Sequence, residues 1–439
     1  MQLTEPIRRE LAWRQPAAVA RRLAEEWGEA GLIWLDGDGS ERGRWVTLAV
    51  DPVEQRCSRG RPDQPDAQNP FALLRQLGHG HWCGWLSYEA AAWTEPANPW
   101  HGDAMASLWI ARHDPVLRFD LRTQALWIEG MNPRRLERMS NWLAEFDAAT
   151  EVQEDAIGIA PEQWQWHSDR ANFTAGVQRI KDLIAAGDLF QANLTACCST
   201  LWPPERSCLD VFLRLRQRCP APFAGLLIGD GEAQGEAVLS TSPERFLQVD
   251  AGGSVETRPI KGTRPRAQDL QRDADLAADL ICSDKDRAEN VMIVDLLRND
   301  LGRVCRPGSI HVPQLLGLET YSAVHHLTSV VQGELREGLS WVDLLQACWP
   351  GGSITGAPKL RACQRLAELE PVSRGPYCGS LIRVDWDGRF DSNILIRSLM
   401  RKGDRLRAHA GCGIVADSDP DNEADELNWK LRPLLDALR

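Results

Sequence analysis

Short apolar runs typical of β-strands recur along most of this chain of 439 residues, separated by turns and by a smaller number of helical patterns. In the first third, strand-like runs at 31–35 and 45–50 follow a helical pattern at 16–29. Further on, helical patterns at 173–186 and 283–300 alternate with hairpins. A helical bundle does not accommodate so many strands, so the pattern predicts an α+β fold.

The later segments also combine predicted strands with predicted helices. A hairpin is predicted at 246–260, around the turn Asp250-Ala-Gly-Gly253, and Ser283 is a predicted N-cap. Further predicted elements are strands at 379–386, 394–400 and 406–410 and a helix from about Asp421.

An acidic stretch with little periodic apolar content, 147–161, separates the two patterns. We therefore predict a boundary near residue 155. It divides a β-rich N-terminal region, 1–155, from a C-terminal region, 156–439.

The charge balance argues against a nucleic-acid-binding protein. The chain has 50 Lys and Arg against 62 Asp and Glu, a formal net charge of −12, whereas phosphate binding needs concentrated positive charge. No apolar run approaches the roughly 20 residues of a membrane-spanning helix. We therefore expect neither nucleic acid nor a membrane as a partner.

The 12 cysteines include no C-x-x-C pair, so neither a disulfide framework nor a zinc site has the required spacing. The first residues also lack the apolar core of a secretory signal. Reduced thiols and a cytoplasmic location are the expectation.

The helix predicted at 283–302 carries a carboxylate on its apolar face. Glu289 shares that face with Met292, Ile293 and Leu296. A buried carboxylate is unfavourable unless it is neutralised. Either an ion pair with Arg or a bound metal ion would neutralise it, and the pattern leaves both open.

Two further glutamates, Glu423 and Glu426, are three residues apart on the C-terminal helix and so project from one side of it. Together with Glu289 they could supply the small set of oxygen ligands that Mg²⁺ takes. Glutamates at this spacing are also common on solvated helix faces, so the spacing alone does not decide.

Lys261 is unusual because the chain strongly prefers Arg: only six of its 50 basic residues are Lys. Lys can lose its proton and act as a nucleophile, which Arg cannot do. Its position at the end of the second strand of the predicted hairpin would let it face a cleft. An ordinary ion-pairing Lys is the alternative.

Two glycine-rich segments, 351–359 and 411–416, could bind an anion through backbone N–H groups. In the first segment Ala357 and Pro358 separate the last glycine from Lys359, so it is not a P-loop. The second lies too close to the C-terminus for a dinucleotide-binding βαβ unit.

Taken in order, these motifs resemble the chorismate-utilising enzymes, a family that includes the large subunits of anthranilate synthase and aminodeoxychorismate synthase and the isochorismate and salicylate synthases. The resemblance covers about 165–435 and is loose in the first third. The motifs that carry it are SPERF at 242–246, RPIKGT at 258–263, DRAENVMIVDLLRND at 286–300, GSITGAPK at 352–359, Ile396-Arg397, GCGIVADS at 411–418, and Glu423 with Glu426.

The resemblance implies large antiparallel β-sheets packed in a sandwich with helices outside. It also implies an N-terminal region of the anthranilate synthase component I type at 1–155 and a chorismate-binding catalytic region at 156–439. Within the family, Lys261 matches the aminodeoxychorismate synthase branch, because anthranilate and isochorismate synthases typically carry Ala in the P-I-x-G-T position.

The resemblance implies a covalent reaction. Lys261 would attack C2 of chorismate while the C4 hydroxyl leaves, after which ammonia enters at C4 and expels the lysine. Glu244 would act as the acid/base beside the departing hydroxyl. His326 would contact the leaving oxygen or orient the substrate.

The family motifs also imply how the substrate is held. Glu289 and Glu426, with Glu423 beside them, would bind Mg²⁺ at the ring carboxylate. The enolpyruvyl carboxylate would be held by Tyr377, Arg397 and the amides of Gly411, Cys412 and Gly413. Ser353 and Lys359 would line the same cleft.

No G-x-C-x-G motif of a glutamine amidotransferase is present. A separate amidotransferase subunit would therefore supply ammonia, and the product would be 4-amino-4-deoxychorismate, for p-aminobenzoate and folate biosynthesis. Two alternatives stay open: anthranilate synthase component I, and a non-catalytic regulatory subunit that binds chorismate.

Overall fold

The computed structural model describes residues 5–145, 156–321 and 324–439. The boundary predicted near residue 155 lies outside the described residues, with most of the acidic stretch 147–161, and stays a prediction. The described residues form strands β1 to β22 and helices α1 to α10.

The strands of the N-terminal part are β1 (Ile7–Leu11), β2 (Ile33–Asp36), β3 (Trp45–Ala49), β4 (Glu54–Ser58), β5 (His81–Leu86), β6 (Leu108–His113), β7 (Val116–Asp120) and β8 (Ala125–Gly130). Those that follow are β9 (Gln165–Trp166), β10 (Gln191–Leu201), β11 (Phe223–Ile228), β12 (Glu236–Ser242), β13 (Arg245–Val249), β14 (Ser254–Thr257), β15 (Ile260–Pro265), β16 (His311–Thr320), β17 (Val324–Glu334), β18 (Gly356–Ala357), β19 (Ser380–Val384), β20 (Phe390–Asn393), β21 (Ser398–Lys402) and β22 (Arg405–Ile414).

The helices are α1 (Pro16–Trp27), α2 (Pro70–Arg75), α3 (Pro133–Ala144), α4 (Arg170–Ala185), α5 (Cys208–Arg218), α6 (Leu270–Cys282), α7 (Asp284–Gly302), α8 (Trp341–Cys348), α9 (Lys359–Leu369) and α10 (Pro420–Ala437). Among the described residues, no helix has the combination of length and apolar composition needed to cross a membrane.

Two large sheets organise the molecule, and their strand pairs are antiparallel. The 12-stranded sheet has the order β1-β8-β7-β3-β2-β11-β12-β21-β22-β10-β18, with β9 beside β10. The 10-stranded sheet has the order β15-β17-β14-β13-β20-β19-β5-β6-β4, with β16 beside β17. Strands from both sides of residue 155 join in each sheet, through β2 with β11 and β5 with β19.

The apolar residues of the 12-stranded sheet alternate between two cores, as successive residues of a strand point to opposite faces. Ile33 packs with the indoles of Trp82 and Trp85 from the other sheet, in a core between the two sheets. Its neighbour Trp34 packs on the opposite face with side chains of α1, α4, α5 and α10, such as Leu23 of α1. The prediction of an α+β fold with large antiparallel sheets is confirmed.

The four predicted helices occur where the sequence pattern places them, as α1, α4, α7 and α10. Ser283 caps α7, because its hydroxyl accepts a hydrogen bond from the backbone N–H of Asp286 at 3.3 Å. The strand predicted at 394–400 is largely wrong, since β21 begins only at Ser398. Arg397 has a left-handed backbone with φ of 52°, which interrupts the extended conformation.

Glu89 is a buried acid beside the junction of β5 and β19, in the 3-10 helix Tyr88–Trp93. Its Oε1 accepts hydrogen bonds from the backbone N–H groups of Arg374 at 2.8 Å and Gly375 at 3.1 Å. Its Oε2 has no hydrogen-bond partner among the described residues. Burial, helped by the nearby Asp103 carboxylate, raises the pKa of Glu89 to about 8.

We predict that Glu89→Gln stabilises the chain increasingly as pH rises. The amide keeps an oxygen for both N–H groups and cannot ionise. In the parent chain, the unfolded state releases the Glu89 proton above the ordinary pKa of 4.5, whereas the folded state keeps it until about pH 8, so stability declines across this window. The difference in Tm between variant and parent, measured from about pH 5 to 8, should widen. A constant difference would contradict the prediction.

Candidate active site

A cleft with a volume of about 590 Å³ lies between β15, α7, α10 and the end of β22. Its size suits a small organic ligand. Most of the site residues predicted from sequence line it, namely Glu244, Lys261, Glu289, His326, Ser353, Tyr377, Arg397, Gly411, Gly413 and Glu426.

A bulge in β15 brings Lys261 to the cleft. The pairing of β15 with β17 shifts register between Ile260 and Thr263. Gly262, inside the bulge, has φ of +81°, and a Cβ there would lie 2.7 Å from Cδ1 of Leu280 and 2.8 Å from Cγ of Asp286. Only glycine therefore lets β15 approach α7 this closely. The prediction that Lys261 ends the second strand of the hairpin is wrong, because it lies in the following strand.

The amine of Lys261 lies inside the cleft and not in bulk solvent. Its side chain is 12% exposed, and Nζ is 3.8 Å from Oε2 of Glu289. Nζ also donates a hydrogen bond to the carbonyl oxygen of Ser353 at 3.3 Å. One carboxylate and one carbonyl thus hold the amine where a ligand in the cleft would meet it.

Glu244 is an acid that stays protonated close to neutral pH. It follows β12 and is 6% exposed. Burial raises the pKa of Glu244 to about 7, although Ser353 and the charge of Lys261 act in the opposite direction. A carboxyl group in this state can donate a proton to a ligand at neutral pH.

Further carboxylates and lysines meet at the cleft. Glu289 of α7 and Glu426 of α10 both line it, and burial raises the pKa of Glu289. Glu426 forms an ion pair with Lys430 at 2.7 Å. Burial disfavours its ionisation, but this ion pair prevails and keeps the pKa of Glu426 below its usual value. Lys285 lies 3.5 Å from Oε1 of Glu423.

This arrangement fits a hard divalent cation. Glu289 and Glu426 present carboxylate oxygens to one cleft from two helices, as Mg²⁺ requires. Ligand atoms of Cys412, Glu423 and Glu426 also lie within 4.8 Å of one another. Burial raises the pKa of the Cys412 thiol, which keeps it protonated, and a thiol is a poor ligand for Mg²⁺.

A guanidinium without an ion-pair partner among the described residues lines the same cleft. Among the described residues, no carboxylate is within ion-pair distance of Arg397, and burial lowers its pKa. Its left-handed backbone is held by Thr241, whose N–H and hydroxyl both donate to the Arg397 carbonyl at 3.0 Å. The ring of Tyr377 stacks on His409 nearby, with centroids 5.0 Å apart. These groups suit an anionic ligand.

Two glycines of β22, Gly411 and Gly413, line the cleft at positions where a side chain would not fit. A Cβ on Gly411 would lie 2.8 Å from Cγ2 of Thr195, and one on Gly413 would lie 2.5 Å from Nε2 of Gln191. A larger residue at either position would displace the neighbouring strand β10.

His326 lines the cleft as a neutral imidazole. Burial, aided by the charge of Arg397, lowers the pKa of His326 to about 4. Its Nδ1 is 2.9 Å from the hydroxyl oxygen of Thr263, within hydrogen-bond distance. This contact orients the ring.

Three predicted site residues do not line the cleft. Cys412 lies between two cleft-facing glycines, so strand alternation turns it toward α10. Glu423 is 4% exposed and accepts a hydrogen bond from the Ser418 hydroxyl at 2.7 Å. The Lys359 ammonium pairs with Asp300 at the end of α7, outside the cleft, because a buried cation needs a counter-ion. The prediction that Lys359 lines the cleft is therefore wrong.

The sequence prediction missed Asn193, Lys285, His409 and Lys430, which all line the cleft. For Lys285 and Lys430 the sequence did carry a signal, namely the scarcity of Lys in this chain. Three of its six Lys reach this one site. His409 lies within a strand and carries no comparable signal.

The chain belongs to the family of chorismate binding enzymes, whose model matches residues 21–436. An anthranilate synthase component I-like protein of Synechocystis sp. is 37% identical over 424 residues, which cover 91% of this chain and 84% of that protein. An aminodeoxychorismate synthase component 1 of Salmonella typhimurium is 42% identical over 276 residues, which cover 63% of this chain and 59% of that protein.

Solved structures share the fold. Anthranilate synthase component I from Streptococcus pneumoniae has a TM-score of 0.76 at 27% identity, covering 89% of this chain and 92% of that chain. The menaquinone-specific isochorismate synthase of Escherichia coli has a TM-score of 0.74 at 17% identity, covering 100% of this chain and 97% of that chain. At this level of identity, the similarity concerns the fold alone. The family resemblance seen in the sequence motifs is confirmed.

We predict that Gly262→Ala destabilises the chain more than Gly388→Ala does. Both glycines have φ of 81°, but a Cβ on Gly388 meets no atom within 4 Å, whereas one on Gly262 collides with α6 and α7 side chains. Left-handed strain of about 1–2 kcal/mol is common to both variants. Urea unfolding should give a larger loss for Gly262→Ala, and equal losses would contradict the close approach of β15 to α7.

Proposed function

We propose that this chain catalyses the amination of chorismate at C4, as an aminodeoxychorismate synthase component I. The observation that carries the proposal is the Lys261 amine, which the bulge in β15 places inside the cleft next to Glu289 and Ser353. A lysine in this position supplies a nucleophile to a ligand in the cleft.

In the first step, the free amine of Lys261 forms a bond to C2 of chorismate, both ring double bonds shift, and the bond between C4 and its hydroxyl oxygen breaks. Protonated Glu244 gives its proton to the departing oxygen, which leaves as water. In the second step, ammonia bonds to C4, both double bonds shift back, the lysine amine leaves C2, and the new amino group returns a proton to Glu244. The balance is chorismate and ammonia to 4-amino-4-deoxychorismate and water.

Two different groups of cleft residues hold the two carboxylates of the substrate. Arg397, which has no internal carboxylate partner among the described residues, binds the enolpyruvyl carboxylate together with Tyr377 and the amides of 411–413. Glu289 and Glu426 would hold Mg²⁺, which would supply positive charge to the ring carboxylate when bound.

A glutamine amidotransferase subunit supplies the ammonia. The proposal rests on the missing G-x-C-x-G motif and on the component 1 names of the relatives that match 63% of this chain. The cytoplasmic location remains a prediction from the cysteine pattern. All 12 cysteines are unpaired thiols, in agreement with a reducing compartment.

Anthranilate synthase component I is the second candidate, favoured by relatives of that name that are 37% identical over more than nine-tenths of this chain. Lys261 favours the first candidate, since a nucleophilic amine has no place in a direct attack of ammonia on the ring. A non-catalytic role in chorismate binding is disfavoured because Lys261, Glu244 and Glu289 together occupy the cleft.

The decisive experiment identifies the product and the covalent adduct. The parent chain, given chorismate, Mg²⁺ and ammonium at alkaline pH, should form 4-amino-4-deoxychorismate, identified by chromatography. Mass spectrometry of the protein should find an adduct equal to chorismate minus water on Lys261. Lys261→Ala should form no adduct and turn over sharply more slowly.

Lys402→Ala is the control, because Lys402 lies outside the cleft and pairs with Glu236. It should keep both the adduct and the turnover. Release of anthranilate and pyruvate by the parent chain would support the second candidate. Unchanged turnover of Lys261→Ala would remove the nucleophile from the proposal.

A separate prediction concerns Glu244. With free ammonia held constant, turnover should decline as pH rises through about 7, because only the protonated carboxyl can give a proton to the leaving oxygen. Glu244→Gln should lower kcat by about 10²–10⁴-fold and lack this decline. Glu89→Gln, which replaces a buried acid outside the cleft, should retain the decline in turnover. A parent profile without the decline would contradict the role of Glu244.

A further inference from the structure

Asn193 is a buried side chain in the cleft wall that the rest of the structure does not use. The residue is 8% exposed and lines the cleft. Its backbone is tightly held, since its N–H donates to the Thr355 carbonyl at 2.7 Å and its carbonyl accepts from Arg374 at 2.8 Å. Its side-chain amide, in contrast, forms no hydrogen bond with any described residue.

The Asn193 amide lies beside the two glycines of β22 that line the cleft, Gly411 and Gly413. In the pairing of β10 with β22, Asn193 is opposite Gly413. Its Nδ2 is 3.0 Å from the point where a Cβ on Gly411 would lie. Arg397 and Tyr377 line the same cleft, so the amide and the guanidinium that lacks a carboxylate partner among the described residues open into one space.

The amide does not help to hold the fold together. Neither of its polar atoms is fully sealed off from the cleft, so water can hydrate the amide when the cleft is empty, and an apolar side chain of similar size would be about as stable there. The hydrogen-bonding capacity of the amide is therefore open to a ligand in the cleft.

We propose that Asn193 is a substrate-binding residue whose Nδ2 donates a hydrogen bond to the enolpyruvyl carboxylate held by Arg397. This rests on the proposed function, since it takes chorismate as the ligand. A carboxylate only accepts hydrogen bonds, so it selects the amide orientation that presents the NH₂ group. Asn193 then shares the anion with the guanidinium without adding charge.

The test compares stability with binding in Asn193→Leu and Asn193→Asp. Binding of chorismate is measured with Mg²⁺ and without ammonia, through tryptophan fluorescence, because Trp429 is 57% exposed and lines the cleft. Asn193→Leu should leave Tm unchanged or higher and raise Kd about 10-fold or more, the effect of one hydrogen bond to a charged group. Asn193→Asp should weaken binding further, because like charges repel.

Asn132→Leu is the control for stability. The Asn132 side chain caps α3 through the N–H groups of Arg134 and Arg135, and it does not line the cleft. This variant should lower Tm and leave Kd unchanged.

The outcomes separate the two proposals. A lower Tm with unchanged Kd in Asn193→Leu would assign Asn193 a structural role and overturn the inference, as would parent-like binding by Asn193→Asp. A parent chain that binds chorismate without aminating it would contradict the proposed function alone. Absence of chorismate binding to the parent chain would contradict both.

Discussion

The close approach of β15 to α7 is the constraint on which the cleft depends. Gly262 occupies the bulge where a Cβ would collide with Asp286 of α7. The bulge turns Lys261 inward, and the same approach brings its amine to 3.8 Å from Glu289. Backbone geometry therefore places the amine and the carboxylate together before any electrostatic attraction between them acts.

Charge is distributed unevenly in the cleft, and burial strengthens the electrostatic effect of that distribution. At one side, Lys285 and Lys430 partly neutralise the carboxylates of Glu289, Glu423 and Glu426. Arg397, in contrast, is a cation without an internal counter-ion among the described residues. Low local dielectric strengthens both features. The cleft thus combines a group of carboxylates with a guanidinium that is available to an anionic ligand.

Much of the site was accessible from sequence because its motifs are local. The N-cap at Ser283 and the apolar face of α7 identified Glu289 as a buried carboxylate, and the scarcity of Lys singled out Lys261. Errors arose where a side chain had a competing partner. Lys359 pairs with Asp300, Glu423 accepts from Ser418, and Cys412 faces α10 because strand residues alternate.

The sequence by itself determined the α+β class, the chemistry available on α7 and α10, and the family, because periodicity, capping and motif spacing act over short stretches. Tertiary structure alone decided which of these groups meet. Register shifts and sheet pairing bring Lys261, Glu244 and Arg397 to one cleft from distant segments, and they leave the Asn193 side chain without a hydrogen-bond partner among the described residues. Such contacts depend on packing between segments far apart in the chain, which no local pattern encodes.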